Sequence, residues 1–137
     1  MRPFHLAFPV TNLDAARAFY VDRFGCAIGR TAERWIDFDF FGHQITAHLV
    51  ESPQEDAGRN AVDGDSIRVP HFGVILDKSE WETVRDRITE RCDTFLLAPK
   101  IRFVGEPGEQ GTFFVSDPSG NVLEFKYFNS DADIFRT

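Results

Sequence analysis

His5, His71 and Glu124 are the side chains in this sequence with the strongest claim to chemistry. His5 is the second residue of the run FHLAFPV, and His71 is the second residue of PHFGVIL. Each is followed two residues later by a small residue, Ala7 or Gly73, which leaves room beside an imidazole on the same strand face. Glu124 stands between Leu123 and Phe125, where a carboxylate costs free energy unless it is paired or bound to a cation. Imidazoles and carboxylates ligate metal ions and move protons near neutral pH. Each also has a plainer reading. A histidine is often satisfied by a nearby hydrogen bond, and Glu124 has Lys126 on its own strand face as a salt-bridge partner. His48, in HQITAHLVE, shares a face with Gln44, Thr46 and Val50 and is a further candidate as ligand or acid/base. His43 reads as an exposed turn residue, Tyr20 and Trp35 as core or cavity wall, and Tyr127 as pointing away from Glu124 by strand alternation.

The elements that must carry these residues come in two similar sets. Phe4, Leu6, Phe8 and Val10 alternate with His5, Ala7 and Pro9, which is a strand pattern. A helix follows, with Asn12 as its cap and Leu13, Ala16, Tyr20 and Phe24 on one face, and Gly25 ends it. In the second half Phe72, Val74 and Leu76 alternate with His71, Gly73 and Ile75. Ser79 and Glu82 have capping-box spacing, and Trp81, Val84, Ile88 and Cys92 repeat the helical spacing of the first half. Each helix precedes three extended segments, about 26–31, 33–41 and 44–51 in one half and 100–104, 111–117 and 121–128 in the other. Gly42-His43, the stretch Gly105 to Gly111, and Pro118-Ser119-Gly120 supply the turns.

The expected fold is therefore α+β: two βαβββ modules, about residues 1–51 and 69–128, forming a curved mixed sheet. The helices cover the outer face, and the histidines line a cavity on the inner one. Residues 52–68 are polar and read as a loop long enough to cover a site. The tail, 129–137, is polar apart from Ile134 and Phe135.

Bulk composition narrows the function classes. With 137 residues the chain has the length of one domain, and its 15 phenylalanines suit sheet faces and an apolar cavity. A net charge of -7 disfavours nucleic acid as a partner. Two cysteines, Cys26 and Cys92, make no disulfide framework, so a reducing, cytoplasmic setting is expected. MRPFHLAFPV reads as neither a signal peptide nor a membrane span.

Three stretches, FHLAFPVTNLDAARAFYVDRFG, VPHFGVIL and GTFFVSDPSGNVLEF, in this order, resemble the vicinal oxygen chelate superfamily of glyoxalases, bleomycin- and fosfomycin-resistance proteins and extradiol dioxygenases. The resemblance implies a divalent metal held by His5, His71 and Glu124, with the fourth-strand position on or near His48. It implies a small-molecule substrate and a homodimer whose modules pair within or between chains. Two imidazoles and a carboxylate leave open positions on one side of the ion. That suits Fe(II) with O₂ and a bidentate substrate, or Mn(II), Zn(II) or Ni(II) as a Lewis acid. The ligand set favours an extradiol-dioxygenase-like reaction. The extradiol pattern has a tyrosine where this chain has Phe114, and a histidine upstream where Gly105 to Gly111 has none. A glyoxalase I-like lyase or isomerase is the alternative, with His48 in place of a glutamate base. It would recognise glutathione through some of Arg30, Arg34, Arg59, Lys100 and Arg102. A metal-free ligand-sequestering protein is the third reading.

Overall fold

A computed structural model describes residues 1–52, 59–62, 65–91 and 93–136. The first module contains β1 (His5–Val10), α1 (Leu13–Phe24), β2 (Ala27–Ala32), β3 (Trp35–Phe40) and β4 (His43–Leu49). The second contains β7 (Phe72–Leu76), α2 (Lys78–Glu90), β8 (Leu97–Arg102), β9 (Gln110–Ser116) and β10 (Val122–Phe128). The sheets have the orders β1-β4-β3-β2 and β7-β10-β9-β8, so the two modules have one topology. In each, the first strand runs parallel to the last and the other pairings are antiparallel. This is the expected pair of βαβββ modules with mixed sheets.

Local differences from the sequence reading have simple causes. Asn12 does cap α1, its side chain accepting from the Ala15 N–H, and Gly25 ends it in the left-handed conformation (φ 69°). The cap of α2 is Asp77 rather than Ser79: its carboxylate accepts from the Glu80 N–H at 2.8 Å, and Ser79 already lies inside the helix. An aspartate satisfies the first-turn donors as well as serine does, so the earlier residue starts the helix. The stretch expected as a loop holds a hairpin, β5 (Arg59–Val62) with β6 (Asp65–Arg68). Strand β8 starts at Leu97, earlier than expected. Cys92 lies outside the described residues. Among the described residues no helix is long and apolar enough to cross a membrane.

The modules pack through their helix-bearing faces. Tyr20 and Phe24 of α1 meet Phe8, Phe38 and Phe40 of their own sheet, while Trp81 of α2 meets Phe113 and Tyr127. The two sets then meet each other: Phe24 lies 4.9 Å from Phe125 and Phe8 lies 5.2 Å from Phe72, ring centroid to ring centroid. All of these rings but the half-buried Phe72 are buried, each adding about 1.5–3 kcal/mol of apolar transfer. Cys26 belongs to this core, and burial pushes its thiol up to about 12, so it is inert at neutral pH.

A polar knot closes one end of the interface. Asp117 opens the D-P-S-G turn, and its Oδ1 accepts from the Ser119 and Asn121 backbone N–H groups. Its Oδ2 accepts from the Asn121 side chain at 2.8 Å and from the buried Tyr20 hydroxyl of the first module at 2.9 Å. Asn121 also donates to the Pro9 carbonyl at 2.7 Å. Burial first, and the adjacent carboxylate second, hold the Tyr20 phenol well above its ordinary range, so it stays a donor.

Within the second module Glu109 accepts from the Gly105 N–H (2.8 Å), the Lys78 ammonium (3.2 Å) and the Tyr127 hydroxyl (3.1 Å).

Two predictions follow from these knots. Tyr20→Phe should lower stability by about 1.5 kcal/mol, the low end for a hydrogen bond to a carboxylate, because Asp117 keeps its other donors. A denaturant midpoint unchanged from the parent would show that the Tyr20–Asp117 bond carries no net stability. Glu109 is held below its ordinary 4.5, first by the Gly105 N–H and then by Lys78 and Tyr127. Its contribution is therefore present above pH 4.5 and lost as pH falls through the lower folded value. In Glu109→Gln the loss of melting temperature from about pH 5 to pH 3 should be shallower than in the parent.

Candidate metal centre

Strand alternation decides where the candidate residues point. In β10, Leu123, Phe125 and Tyr127 face α2, so Glu124 and Lys126 lie on the opposite face, together with Thr112 and Phe114 of β9. His71, just ahead of β7, joins that face, its Nε2 lying 3.4 Å from Glu124 Oε2. The other carboxylate oxygen, Oε1, accepts from the Thr112 hydroxyl at 2.8 Å and lies 3.4 Å from Lys126 Nζ. The plainer pairing with Lys126 is thus present, but it uses one oxygen and leaves the other beside the imidazole. His71 also packs edge-on against Phe114, with centroids 5.2 Å apart. Phe114 is held in turn by Leu97, Val122 and Ile67, the last on β6 of the inter-module hairpin. An open cleft of about 260 Å³ borders His71, Gly73, Glu124 and Lys126.

Gly73 has a tighter role than the sequence suggested. It is the register partner of Glu124, and a Cβ at this position would lie 1.6 Å from the Glu124 carbonyl oxygen. The missing side chain makes room for the neighbouring strand's backbone as well as for an imidazole.

His5 occupies the corresponding face of the first sheet. Its Nδ1 lies 2.9 Å from Gln44 Oε1, and Gln44 Nε2 donates to Asp37 Oδ2 at 3.2 Å. Asp37 Oδ1 accepts from the Thr46 hydroxyl at 2.6 Å. A cleft of about 370 Å³ borders Arg30, Asp37, Asp39, His43 and Gln44. His43 lies at the start of β4, half-buried, and accepts from the Phe4 N–H at 3.0 Å rather than standing free in a turn. Trp35 carries the Arg30 guanidinium 5.9 Å above its ring.

The two modules' registers can be compared directly. Ala7, two residues after His5, pairs with Thr46; Gly73, two residues after His71, pairs with Glu124. The first-module counterpart of Glu124 is therefore Thr46, and that of Lys126 is His48. His48 is exposed and pairs with Pro9, four residues beyond His5, so it stands about 13 Å further along the sheet.

Since the helix faces of the two sheets pack together, the His5 face and the His71–Glu124 face point away from each other. The chain brings His71 and Glu124 together and keeps His5 apart. Among the described residues no group of three or more His, Cys, Asp or Glu side chains lies close enough to hold a metal ion. The pair itself has a suitable spacing. Two atoms each about 2.0–2.2 Å from one divalent ion lie about 2.8–3.6 Å apart at octahedral to tetrahedral angles. The observed separation is 3.4 Å. Gln44, Asp37, Thr46 and Thr112 were not singled out from the sequence. Asp37 was accessible there, because Ile36, Phe38 and Phe40 alternate with Asp37 and Asp39.

Two βαβββ modules, each presenting an imidazole on the sheet face away from its helix, define a vicinal-oxygen-chelate type of protein. The chain belongs to the Glyoxalase/Bleomycin resistance protein/Dioxygenase superfamily, whose family model matches residues 2–125. It is similar to a glyoxalase/bleomycin resistance protein/dioxygenase from Alicyclobacillus acidocaldarius, with 34% identity and a TM-score of 0.79 over 97% of this chain and 96% of that one. It shares its fold with the fosfomycin resistance protein FosX from Listeria monocytogenes, at 16% identity and a TM-score of 0.69 over 98% of both chains. It also shares its fold with a lactoylglutathione lyase from Agrobacterium tumefaciens, at 21% identity and a TM-score of 0.61 over 90% of this chain and 91% of that one. No curated protein matches the chain by sequence.

Gly73→Ala tests the strand packing beneath the site. It should cost at least about 3 kcal/mol, the upper range for overpacking, because strand backbone has to move. A variant with the parent's denaturation midpoint would show that β10 does not approach Gly73 this closely.

Proposed function

We propose that the chain is a metal-dependent enzyme acting on a small molecule with two neighbouring oxygens, and that it works as a homodimer with His71 and Glu124 of one copy and His5 of the other at each site. The observation that carries this is the pairing of His71 Nε2 with Glu124 Oε2 on one outward face, while the equivalent imidazole, His5, is presented on the opposite outward face. Thr112 and Lys126 hold one oxygen of Glu124 and leave the other directed at His71. Lys126 also places a cation beside the cleft, suited to an anionic substrate oxygen. Phe114 and Ile67 supply an apolar wall that excludes water next to His71.

A divalent ion held there supplies Lewis-acid character toward two adjacent oxygens and, as Fe(II), electrons for O₂ chemistry. The two-histidine, one-carboxylate set favours the extradiol-dioxygenase-like reaction. A lyase or isomerase reaction is favoured by one observation: Phe114, buried against His71, puts a ring without a hydroxyl where a proton-transfer group would be needed for ring cleavage. His48 is the acid/base candidate in either case, reaching toward the far end of a bound substrate rather than the ion.

Subunit complementation tests the shared site. His5→Ala and Glu124→Ala should each lose metal binding as homodimers. Mixed and refolded together, they should recover about a quarter of the parent's metal sites, since half the dimers are mixed and each holds one intact site. No recovery on mixing, with each variant folded and dimeric, would rule out a site shared between chains. Oxygen uptake with catechols, run beside a hemithioacetal isomerisation assay on the metal-loaded protein, separates the two reactions.

A further inference from the structure

We propose that Gln44 and Asp37 are positioning residues that hold His5 as its Nδ1–H tautomer, so that Nε2 carries the lone pair it presents outward. The argument follows donors and acceptors along one chain of side chains. Asp37 is buried, and its carboxylate oxygens serve as acceptors: Oδ1 takes the Thr46 hydroxyl at 2.6 Å and Oδ2 takes the Gln44 amide nitrogen at 3.2 Å. Arg30 Nε, 3.9 Å from Oδ2, adds a positive charge on the same oxygen. With its nitrogen committed to Asp37, the Gln44 amide directs Oε1 at His5 Nδ1, 2.9 Å away. An amide oxygen only accepts, so Nδ1 bears the proton, and in a neutral imidazole the lone pair is then on Nε2.

The same nitrogen is presented by His71, whose Nε2 faces Glu124. A carboxylate thus lies directly beside the outward nitrogen of His71, whereas at His5 a relayed carboxylate stands behind the ring, at Nδ1. Hydrogen bonds of this kind behind a ligating histidine fix its tautomer and ring orientation and raise its basicity. The sequence difference at the register position of Glu124 fits this division. Thr46 stands there in the first module and, with no carboxylate of its own, anchors the one that orients Gln44.

The consequence for metal affinity rests on the function proposed above; the tautomer does not. Two-bond proton–nitrogen correlation spectra of the metal-free protein at neutral pH should show His5 with its proton on Nδ1. Gln44→Leu, at an exposed position, should abolish that preference. It should also weaken Co²⁺ or Mn²⁺ binding about 10- to 100-fold by calorimetric titration. Asp37→Asn should move the tautomer in the same direction, because an asparagine can turn its amide group and let Gln44 reverse. If the buried Asp37 variant does not fold, Gln44→Leu decides the matter alone. A parent His5 protonated on Nε2, or a Gln44→Leu protein that keeps the Nδ1–H tautomer, overturns the proposal. So does a Gln44→Leu protein whose metal affinity is within about twofold of the parent's while His5→Ala abolishes binding. If His5→Ala leaves metal affinity unchanged, the shared metal site fails instead, and the parent's tautomer still decides the role of Gln44 and Asp37.

Discussion

The helix-bearing faces of the two sheets pack against one another, and the direction of every functional side chain follows from that contact. Phe8, Phe24, Phe40, Phe72 and Phe125 occupy the seam, and the Tyr20–Asp117–Asn121 knot ties its end. Because strand residues alternate, committing these rings to the seam commits their neighbours to the outside. His5 precedes Leu6 and Phe8, and Glu124 precedes Phe125. A slip of one residue in β1 or β10 would bury the imidazole or the carboxylate among aromatic rings, where either would be costly. The core and the candidate centre are therefore one pattern seen from two sides.

Much of this was legible in the sequence because it depends on period and punctuation. Alternation in FHLAFPV and PHFGVIL, the cap at Asn12 and the stop at Gly25 are local signals with local causes. The repeat of His5 and His71 was visible because both modules place an imidazole at the same step of the same strand. The cap at Asp77 was missed because Ser79 and Glu82 also have the spacing of a cap, and nothing local ranks one above the other. The hairpin between the modules was missed because its residues are polar and lack strong alternation.

What the sequence did not decide is how the two sheets meet in one chain: in place of the expected helices on the outside, the helix-bearing faces pack together. Periodicity tells which residues share a face of one sheet; it does not tell which way two such faces turn. The partners of the site residues were hidden for the same reason. Gln44 and Thr46 are unremarkable in a strand until the register sets them beside His5 and Asp37. His48 drew attention as the residue on or near the fourth-strand position that the resemblance implies, and register moves it four residues along the sheet from His5's level.

The division of donors between the modules bears on how copies of the chain can combine. On its outward face the first module has His5, backed by Gln44 and Asp37, and Thr46 stands at the register position that Glu124 holds in the second. The second offers an imidazole and a carboxylate side by side. Two first modules facing each other would bring two His5 imidazoles together with no carboxylate at the register position of Glu124. Two second modules would give two imidazoles and two carboxylates, a neutral and crowded set. Pairing unlike modules would set His5 against His71 and the single carboxylate Glu124, which leaves positive charge and open positions for a substrate's oxygens. A two-fold axis that pairs unlike modules does so twice, so one self-complementary contact produces two identical sites. The difference between Thr46 and Glu124 at equivalent register positions therefore makes the two halves chemically complementary rather than equivalent.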